Sequence, residues 1–194
     1  MKKSSAVKQP TLLVFAGPNG SGKSLITRKF EIKGLYINAD EIKRQDNSLS
    51  DLDAAVEAET LREHCLHEME DFSFETVLST DRNLDLIARA KEAGYFVDCV
   101  FVLTADPEIN IFRVKTRVLK GGHDVPVDKT RSRYKKSLEN IPSLVALCDR
   151  IRIFDNSDEP FIIYIKNTDG SEIISKNNYW SIRKIIALTK ADND

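Results

Sequence analysis

The 194-residue chain is poor in the residues that would place it outside the cell or within a membrane. It has only three cysteines, an odd number, and Cys65, Cys99 and Cys148 are widely separated within apolar patterns. We therefore expect buried free thiols in a reducing compartment instead of a disulfide framework. No apolar run is long enough to span a bilayer, and the apolar stretch after Met1-Lys2-Lys3 is too short for a signal peptide. These absences predict a cytoplasmic protein with no membrane span.

The chain also has no excess of charge of either sign. Its formal net charge is −1, which favours neither a nucleic acid nor a membrane as partner. Charge is nevertheless segregated, because residues 38–75 hold 12 acidic and 3 basic residues, whereas residues 113–136 hold 9 basic and 2 acidic ones. Repeats, linkers and low-complexity stretches are missing. We therefore expect one domain over residues 1–194, with residues 1–10 flexible.

One glycine-rich motif carries most of the chemical information. Residues 17–24 read Gly17-Pro18-Asn19-Gly20-Ser21-Gly22-Lys23-Ser24, which satisfies the phosphate-binding pattern G-x-x-x-x-G-K-[ST]. An apolar run, Thr11–Ala16, precedes it, and apolar residues at helical spacing follow it. In such a loop the backbone N–H groups turn toward a phosphate, the lysine supplies a positive charge, and the final hydroxyl is offered to Mg²⁺. We therefore expect residues 17–24 to bind ATP, with Ser24 as a ligand of Mg²⁺.

The order of apolar runs and helical patterns predicts an α/β fold of the P-loop NTPase type. Strand-like and helix-like segments alternate, which favours a parallel sheet with helices on both faces. After the last core strand, Asp169-Gly170 marks a C-terminal β-hairpin. The predicted strands are 11–16, 35–38, 73–78, 96–103, 150–154, 161–166 and 172–175, and the predicted helices include 51–69, 84–93, one opening at Asp106-Pro107, and 180–188. In the helix 51–69, we expect these side chains to face the core: Leu52, Ala55, Val56, Leu61, Cys65 and Met69.

The basic segment, residues 113–136, predicts a helical lid that carries arginines. Arg113 and Arg117 lie on one face of a helix, and a second helix carries Arg131 and Arg133 beyond a flexible Gly121-Gly122 pair. The planar guanidinium group of arginine is suited to holding the phosphoryl group during transfer. Two other interpretations remain, a solvated helix face and a groove for RNA. The RNA groove is weakened because the segment has few interleaved aromatic residues.

Two carboxylates have positions that suit catalysis. Asp40 follows the second strand, where open α/β sheets bind ligands, so it is either a general base or the cap of a short helix that starts at Glu41. Glu75 interrupts an apolar strand and is either a substrate-facing carboxylate or an acid that orders Mg²⁺ through water. Asp98, within the most apolar strand, is expected to be a buried structural acid.

From Leu12 to about Ser157, these motifs together resemble the zeta-toxin family, in its short single-domain branch. The most specific part is Arg113-Val114-Lys115-Thr116-Arg117-Val118 followed by Gly121-Gly122-His123-Asp124-Val125-Pro126. Members of this family are P-loop kinases. The best-known ones use ATP to phosphorylate a sugar hydroxyl of UDP-N-acetylglucosamine, and a small antitoxin blocks their nucleotide site.

The resemblance implies a kinase with an alcohol group as acceptor, a nucleotide-sugar substrate and a small antitoxin partner. It makes Asp40 the catalytic base, Lys23 a phosphate ligand and Arg117 a lid arginine. Better-known toxins have a second lid arginine near the position of His123, a role that Arg131 or Arg133 would take here. The residues expected to contact the acceptor are Asp40, Arg62, Glu75, Thr76 and His123. Two alternatives stay open: another nucleotide or dinucleotide as acceptor, and a nucleotide-binding or RNA-interacting module without kinase activity.

Overall fold

A seven-stranded sheet forms the centre of the computed structural model, which describes residues 9–122 and 124–190. Its order is β2-β3-β1-β4-β5-β6-β7, and the neighbouring pairs from β2 to β5 are parallel whereas β6 and β7 join antiparallel. The P-loop NTPase-type sheet and the C-terminal hairpin predicted from the sequence are thus present. The strands are β1 Thr11–Ala16, β2 Leu35–Ile37, β3 Phe72–Thr76, β4 Phe96–Leu103, β5 Arg150–Asp155, β6 Phe161–Lys166 and β7 Glu172–Ile174.

Eight helices accompany the sheet in the described part of the chain. They are α1 Lys23–Thr27, α2 Ala39–Gln45, α3 Asp51–His67, α4 Arg82–Glu92, α5 Pro107–Leu119, α6 Val127–Glu139, α7 Ile141–Leu147 and α8 Ile182–Thr189. The sequence signals at their ends hold in two clear cases. Asp106 caps α5 through a bond from the backbone N–H of Glu108, with proline in the first turn. Gly94 follows α4 with a φ of +95°, the left-handed conformation expected there.

The helices cover the two faces of the sheet unequally. On one face, α3, α4, α7 and α8 pack over alternate strand residues to form the larger core. On the other face, Ile26 of α1 packs with Leu13, Phe15, Val100 and Val102, and Phe30 makes an edge contact with Phe15. The second face therefore depends on α1 and the segment that follows it.

The predicted inward face of α3 is confirmed for Cys65, which is buried, and for Leu61, which packs against the larger core, but it is wrong for the other four residues. Leu52, Val56 and Met69 are 73%, 54% and 44% exposed, and Ala55 is exposed as well, whereas the buried residues are Ala54, Ala58 and Cys65. Apolar residues occur on all sides of this helix, so their spacing does not select one face. Met69 lies beyond the end of the helix, in a left-handed conformation with φ +56°.

The structural interpretation of Asp98 is confirmed. It is 5% exposed and accepts hydrogen bonds from Arg150 at 2.5 Å and Arg152 at 2.7 Å, both on the neighbouring strand β5. Arg152 also lies over the ring of Phe30, at 4.6 Å from its centroid. The charge of a buried acid is thus balanced within the sheet.

The three cysteines are buried and free, as expected. Burial and the neighbouring Cys148 thiol raise the pKa of the Cys99 thiol well above its ordinary value. Over residues 9–122 and 124–190, no helix combines the length and the apolar character needed to cross a membrane.

Candidate active site

The glycine-rich loop lies at the carboxyl end of β1, where its backbone is tightly packed. Gly17, Gly20 and Gly22 have φ values of +138°, +77° and +90°, in the region that favours glycine. A Cβ atom on Gly17 would lie 2.0 Å from the carbonyl oxygen of Val102, and one on Gly20 would lie 2.4 Å from that of Asn110. Both conformation and space therefore require glycine at these positions.

Two buried asparagines hold the main chain of this loop. Asn110 of α5 donates from Nδ2 to the carbonyl oxygen of Asn19 at 2.7 Å, and Asn156, just after β5, donates to that of Ser21 at 2.7 Å. Sequence reasoning missed both residues. Asn156 follows the carboxyl end of a core strand, and Asn110 interrupts the apolar stripe of α5, which are the signals that could have identified them.

Lys23 is held over the loop, close to charges of both signs. Its Nζ donates to the carbonyl oxygens of Gly17 at 2.6 Å and Pro18 at 3.2 Å. Burial lowers the pKa of Lys23 to about 8, Glu75 and Asp40 counteract part of that change, and Arg117 adds to it. A buried lysine with a lowered pKa gains most from an anionic ligand, because such a ligand stabilises its protonated form.

These features fit a bound nucleoside triphosphate with Mg²⁺. The left-handed glycines give the loop a backbone in which successive N–H groups can surround a phosphate. The ammonium group of Lys23 lies beside the loop. Ser24, at the start of α1, is exposed and lines the adjoining cavity. Lys23 is therefore suited to the outer phosphates and Ser24 to Mg²⁺.

A cavity of about 610 Å³ adjoins the loop and brings together most of the side chains predicted for the site. The loop, α2, the end of β3, and the helices α5 and α6 all contribute to its wall. The predicted residues that line it are Asn19, Gly20, Gly22, Lys23, Ser24, Asp40, Glu75, Thr76, Arg117 and Arg133, and Arg113 lines it as well. Ala55 and Val125 add apolar surface.

Asp40 is not the cap of its helix, so that alternative is wrong. The helix α2 begins at Ala39, and its cap is Asn38, whose Oδ1 accepts the backbone N–H of Asp40 at 2.9 Å. The Asp40 carboxylate lines the cavity beside Lys23 and Ser24. Its position is therefore available for chemistry and is not explained by capping.

Glu75 is fixed by hydroxyl groups from two elements. Its Oε1 accepts hydrogen bonds from Tyr36 at 2.8 Å and from Thr27 at 3.0 Å. Asn38 in turn donates from Nδ2 to the Tyr36 hydroxyl at 3.3 Å. Burial raises the pKa of Tyr36, and this favours its neutral, donating form. A chain of hydrogen bonds thus connects the cap of α2 with the carboxylate of β3 and with α1.

The Thr76 hydroxyl is already engaged at the end of β3. It accepts hydrogen bonds from the backbone N–H of Leu78 at 2.9 Å and from Asn83 Nδ2 at 2.8 Å, while the Thr76 carbonyl oxygen accepts from Gly17 N–H at 3.2 Å. Leu78 has a left-handed backbone with φ +55°. Thr76 therefore holds the chain as it turns at the cavity wall.

The arginines of α5 and α6 divide into those at the cavity and those outside it. Arg113 and Arg117 line the cavity from α5, and Arg133 lines it from α6 and donates to Asn19 Oδ1 at 3.4 Å. Arg131 is directed elsewhere, because its guanidinium donates to Glu108 in an exposed ion pair. The sequence left open which of the two arginines serves the site, and Arg133 is the one that lines the cavity.

The glycine pair between these helices shapes the position of Arg117. Gly121 ends α5 with a φ of +81°. A Cβ atom on Gly122 would lie 2.5 Å from Cγ of Arg117, and Gly122 donates its N–H to the Arg117 carbonyl oxygen at 3.0 Å. The pair is therefore a helix end that lets the chain pass over the arginine stem.

Arg62, also expected at the acceptor, does not line the cavity. This residue of α3 lies over the ring of Phe74, at 5.3 Å from its centroid. Burial lowers the pKa of Arg62. His123 lies outside the described residues.

Comparison with known proteins places this geometry in a family. An uncharacterized protein of Haemophilus influenzae is 31% identical over 140 residues, which are 69% of this chain and 99% of that protein. In a structure of the PezAT chromosomal toxin-antitoxin system of Streptococcus pneumoniae, a chain with 19% identity superposes with a TM-score of 0.60, covering 84% of this chain and 75% of that one.

A structure of AvrRxo1-ORF1:-ORF2 with ATP has a TM-score of 0.66 at 19% identity and covers 86% of this chain, which spans 60% of the AvrRxo1 chain. At these identities the two solved structures show a shared fold. The sequence profile of the Zeta toxin family matches residues 1–168. With its P-loop fold and its phosphate-binding loop, the chain belongs to the zeta toxin family.

Proposed function

We propose that the protein is a zeta-toxin-type kinase that transfers the γ-phosphoryl group of ATP to a hydroxyl of a small molecule. The observation that carries the proposal is that Lys23, Asp40 and Arg117 line one cavity. An in-line phosphoryl transfer needs a carboxylate to accept the proton and cationic groups to stabilise the phosphoryl oxygens. Membership of the zeta toxin family and the ATP in the similar AvrRxo1 structure support ATP as the donor.

The donor half of the reaction rests on the loop. Its backbone N–H groups and Lys23 hold the phosphates, and Ser24 supplies a hydroxyl to Mg²⁺, which when bound neutralises charge on the outer phosphates. Arg117 and Arg133 approach the same cavity from α5 and α6. They stabilise the charge that spreads over the phosphoryl oxygens during transfer.

The acceptor half rests on Asp40. The acceptor oxygen forms a bond to the γ-phosphorus, the bond from that phosphorus to the bridging oxygen of ADP breaks, and the hydroxyl proton passes to Asp40. Glu75, held by Thr27 and Tyr36, fixes the polar wall beside Lys23. Water is excluded as the acceptor fills the cavity.

For the acceptor, we propose a nucleotide-sugar such as UDP-N-acetylglucosamine, and for the partner a small antitoxin protein. Support for both comes from the family and from the toxin-antitoxin system to which the similar pneumococcal structure belongs. A nucleotide or dinucleotide acceptor is the alternative that the same cavity allows, because the reacting group is a hydroxyl in each case.

The test is direct phosphorylation by the purified chain. The protein is incubated with ATP, Mg²⁺ and a panel of nucleotide-sugars, nucleotides and dinucleotides, and each mixture is examined by mass spectrometry for one added phosphate. We expect one acceptor class to gain a single phosphate while ADP accumulates in equal amount. Tight ATP binding without a phosphorylated product across the panel would instead favour a nucleotide-binding module.

A further inference from the structure

A second groove, of about 440 Å³, lies between α1 and α2. Four of the residues that line it also line the main cavity, namely Ser24, Asn38, Asp40 and Glu75. The two spaces therefore meet at the proposed catalytic centre. Apart from Thr27 and Tyr36, which hold Glu75, the other residues of the groove have no role in the function proposed above.

The groove has an apolar side formed on the thinly covered face of the sheet. Phe30, Ile32 and Tyr36 line it, and all three pack against the smaller core cluster and not against the one beneath α3. Ala55 of α3 lines the main cavity but not the groove. The two spaces therefore extend from Asp40 in different directions. A flat or apolar portion of a ligand would find contact surface in the groove.

Each of the two helices of the groove has an arginine four residues after a proposed catalytic residue. Arg28 follows Ser24 by four residues and is the C-cap of α1, and Arg44 follows Asp40 by four residues in the last turn of α2. Residues four apart lie on one helix face, about 6 Å apart along the axis. Each helix thus carries a proposed catalytic residue and, one turn farther along, an arginine in the same groove.

Both arginines are exposed, and within residues 9–122 and 124–190 neither guanidinium group makes a hydrogen bond or an ion pair. The acids of the groove are at its other end, because Asp40 and Glu41 occupy the first turn of α2, and Glu75 is engaged by Thr27 and Tyr36. The groove therefore has an acidic end suited to a hydroxyl and a basic end suited to an anion.

We propose that this groove binds the phosphate of a phosphate-bearing acceptor, with the anion between Arg28 and Arg44 and the reacting hydroxyl at Asp40. The ligand class is a sugar or nucleoside phosphate ester whose phosphate lies about one helical turn from the hydroxyl. Apolar or ring atoms beside the phosphate contact Phe30 and Ile32. The inference rests on the proposed kinase function and specifies how its acceptor is recognised.

The kinetic test compares acceptors with and without phosphate. UDP-N-acetylglucosamine and N-acetylglucosamine are assayed with the wild type, Arg28→Ala, Arg44→Ala, and the control Arg183→Ala, an exposed arginine of α8. We expect each groove variant to raise the KM for UDP-N-acetylglucosamine at least tenfold, with the KM for ATP unchanged and the control like the wild type. A KM within twofold of the wild type in both groove variants would overturn the proposal.

A binding test keeps this inference separate from the kinase proposal. Inorganic pyrophosphate is titrated into the full chain by calorimetry, with the phosphate-binding loop saturated by a non-hydrolysable ATP analogue and Mg²⁺. We expect pyrophosphate to bind at a second site, apart from the occupied loop, in the wild type and in Arg183→Ala. We expect this second site to be lost in the Arg28→Ala/Arg44→Ala double variant. A second site without turnover on any acceptor would reject the kinase and keep the groove. Absence of a second site in the wild type would reject the groove.

Discussion

The side chain of Asn38 caps the helix that carries Asp40, accepting the Asp40 backbone N–H at 2.9 Å. The same side chain donates from Nδ2 to the Tyr36 hydroxyl, which holds Glu75. One asparagine thus orients the start of α2 and connects it with the second carboxylate of the cavity. Because Asn38 is the helix cap, a substitution of Asp40 tests its role as a base without removing the cap.

The first prediction is that Asp40→Asn abolishes most turnover without loss of stability. We expect acceptor phosphorylation to fall by about 10²- to 10⁴-fold, because the proton acceptor is removed, while ATP binding and the melting temperature stay close to the wild type. Asn38→Ala, in contrast, should lower the free energy of unfolding by about 1 kcal/mol, because it removes the helix cap. Asp85→Asn, an exposed acid in the first turn of α4, is the matched control. Normal turnover in Asp40→Asn would exclude it as the base and make Glu75 the next candidate.

A second prediction follows from the lowered pKa of Lys23, about 8. Phosphates bind the protonated amine, so ATP affinity should be constant below pH 8 and should fall as the pH rises through 8, by up to tenfold per pH unit. Calorimetry in buffers of different ionisation enthalpy should show proton uptake on ATP binding near pH 8. In Lys23→Met, affinity should be low and this pH dependence should vanish. An unchanged pH profile in that variant would assign the titration to another group.

The third prediction separates the arginines of α5 and α6. Arg117→Ala and Arg133→Ala should each lower kcat by about 10²-fold or more with a smaller effect on ATP affinity, because their contacts strengthen in the transition state. Arg131→Ala should change kcat by less than about twofold, since an exposed pair such as that of Arg131 with Glu108 contributes little. Steady-state kinetics of the three purified variants provides the measurement. Equal, wild-type rates in all three would indicate a solvated surface in place of an arginine lid.

A fourth prediction concerns the support of the phosphate-binding loop. Asn156→Ala leaves the Ser21 carbonyl oxygen without its buried donor, and we expect a loss of about 1–3 kcal/mol in the free energy of unfolding. Because that loop is the donor site, the rise in melting temperature on adding ATP should also shrink. Asn167→Ala in the C-terminal hairpin removes a partly exposed bond to Ser171 and should change neither quantity measurably. A full ATP response in Asn156→Ala would show that the loop keeps its shape without the asparagine.

The sequence predicted the sheet well because its strands have unambiguous patterns. The strand β4 was expected at 96–103 and occurs there, since all of its residues but Phe96 are buried and Asp98 alone interrupts the apolar run. The position of the glycine-rich loop was equally clear, because glycine at fixed spacing reflects close packing of its backbone, and phosphate binding there stays a prediction. Local chemistry was sufficient in both cases.

Features that depend on tertiary contacts were not predictable in the same way. The buried face of α3 is set by its neighbours, since apolar residues occur all around the helix. Asn110 and Asn156 act on main-chain carbonyl groups far away in sequence, and such contacts leave no motif. The sequence left open which of Arg131 and Arg133 serves the site, because this depends on which one reaches the loop at Asn19 and which one pairs with Glu108.

The anchoring of α5 and α6 restricts how the site can close. Arg113 donates to the carbonyl oxygens of Asn156 and Ser157 at 2.8 and 3.0 Å, and the buried Tyr134 donates to that of Thr104 at 2.6 Å. Neither helix can swing as a free arm without breaking these bonds. A closure over a nucleotide that keeps these bonds moves side chains and not the two helices, so the radius of gyration should change little when a nucleotide binds.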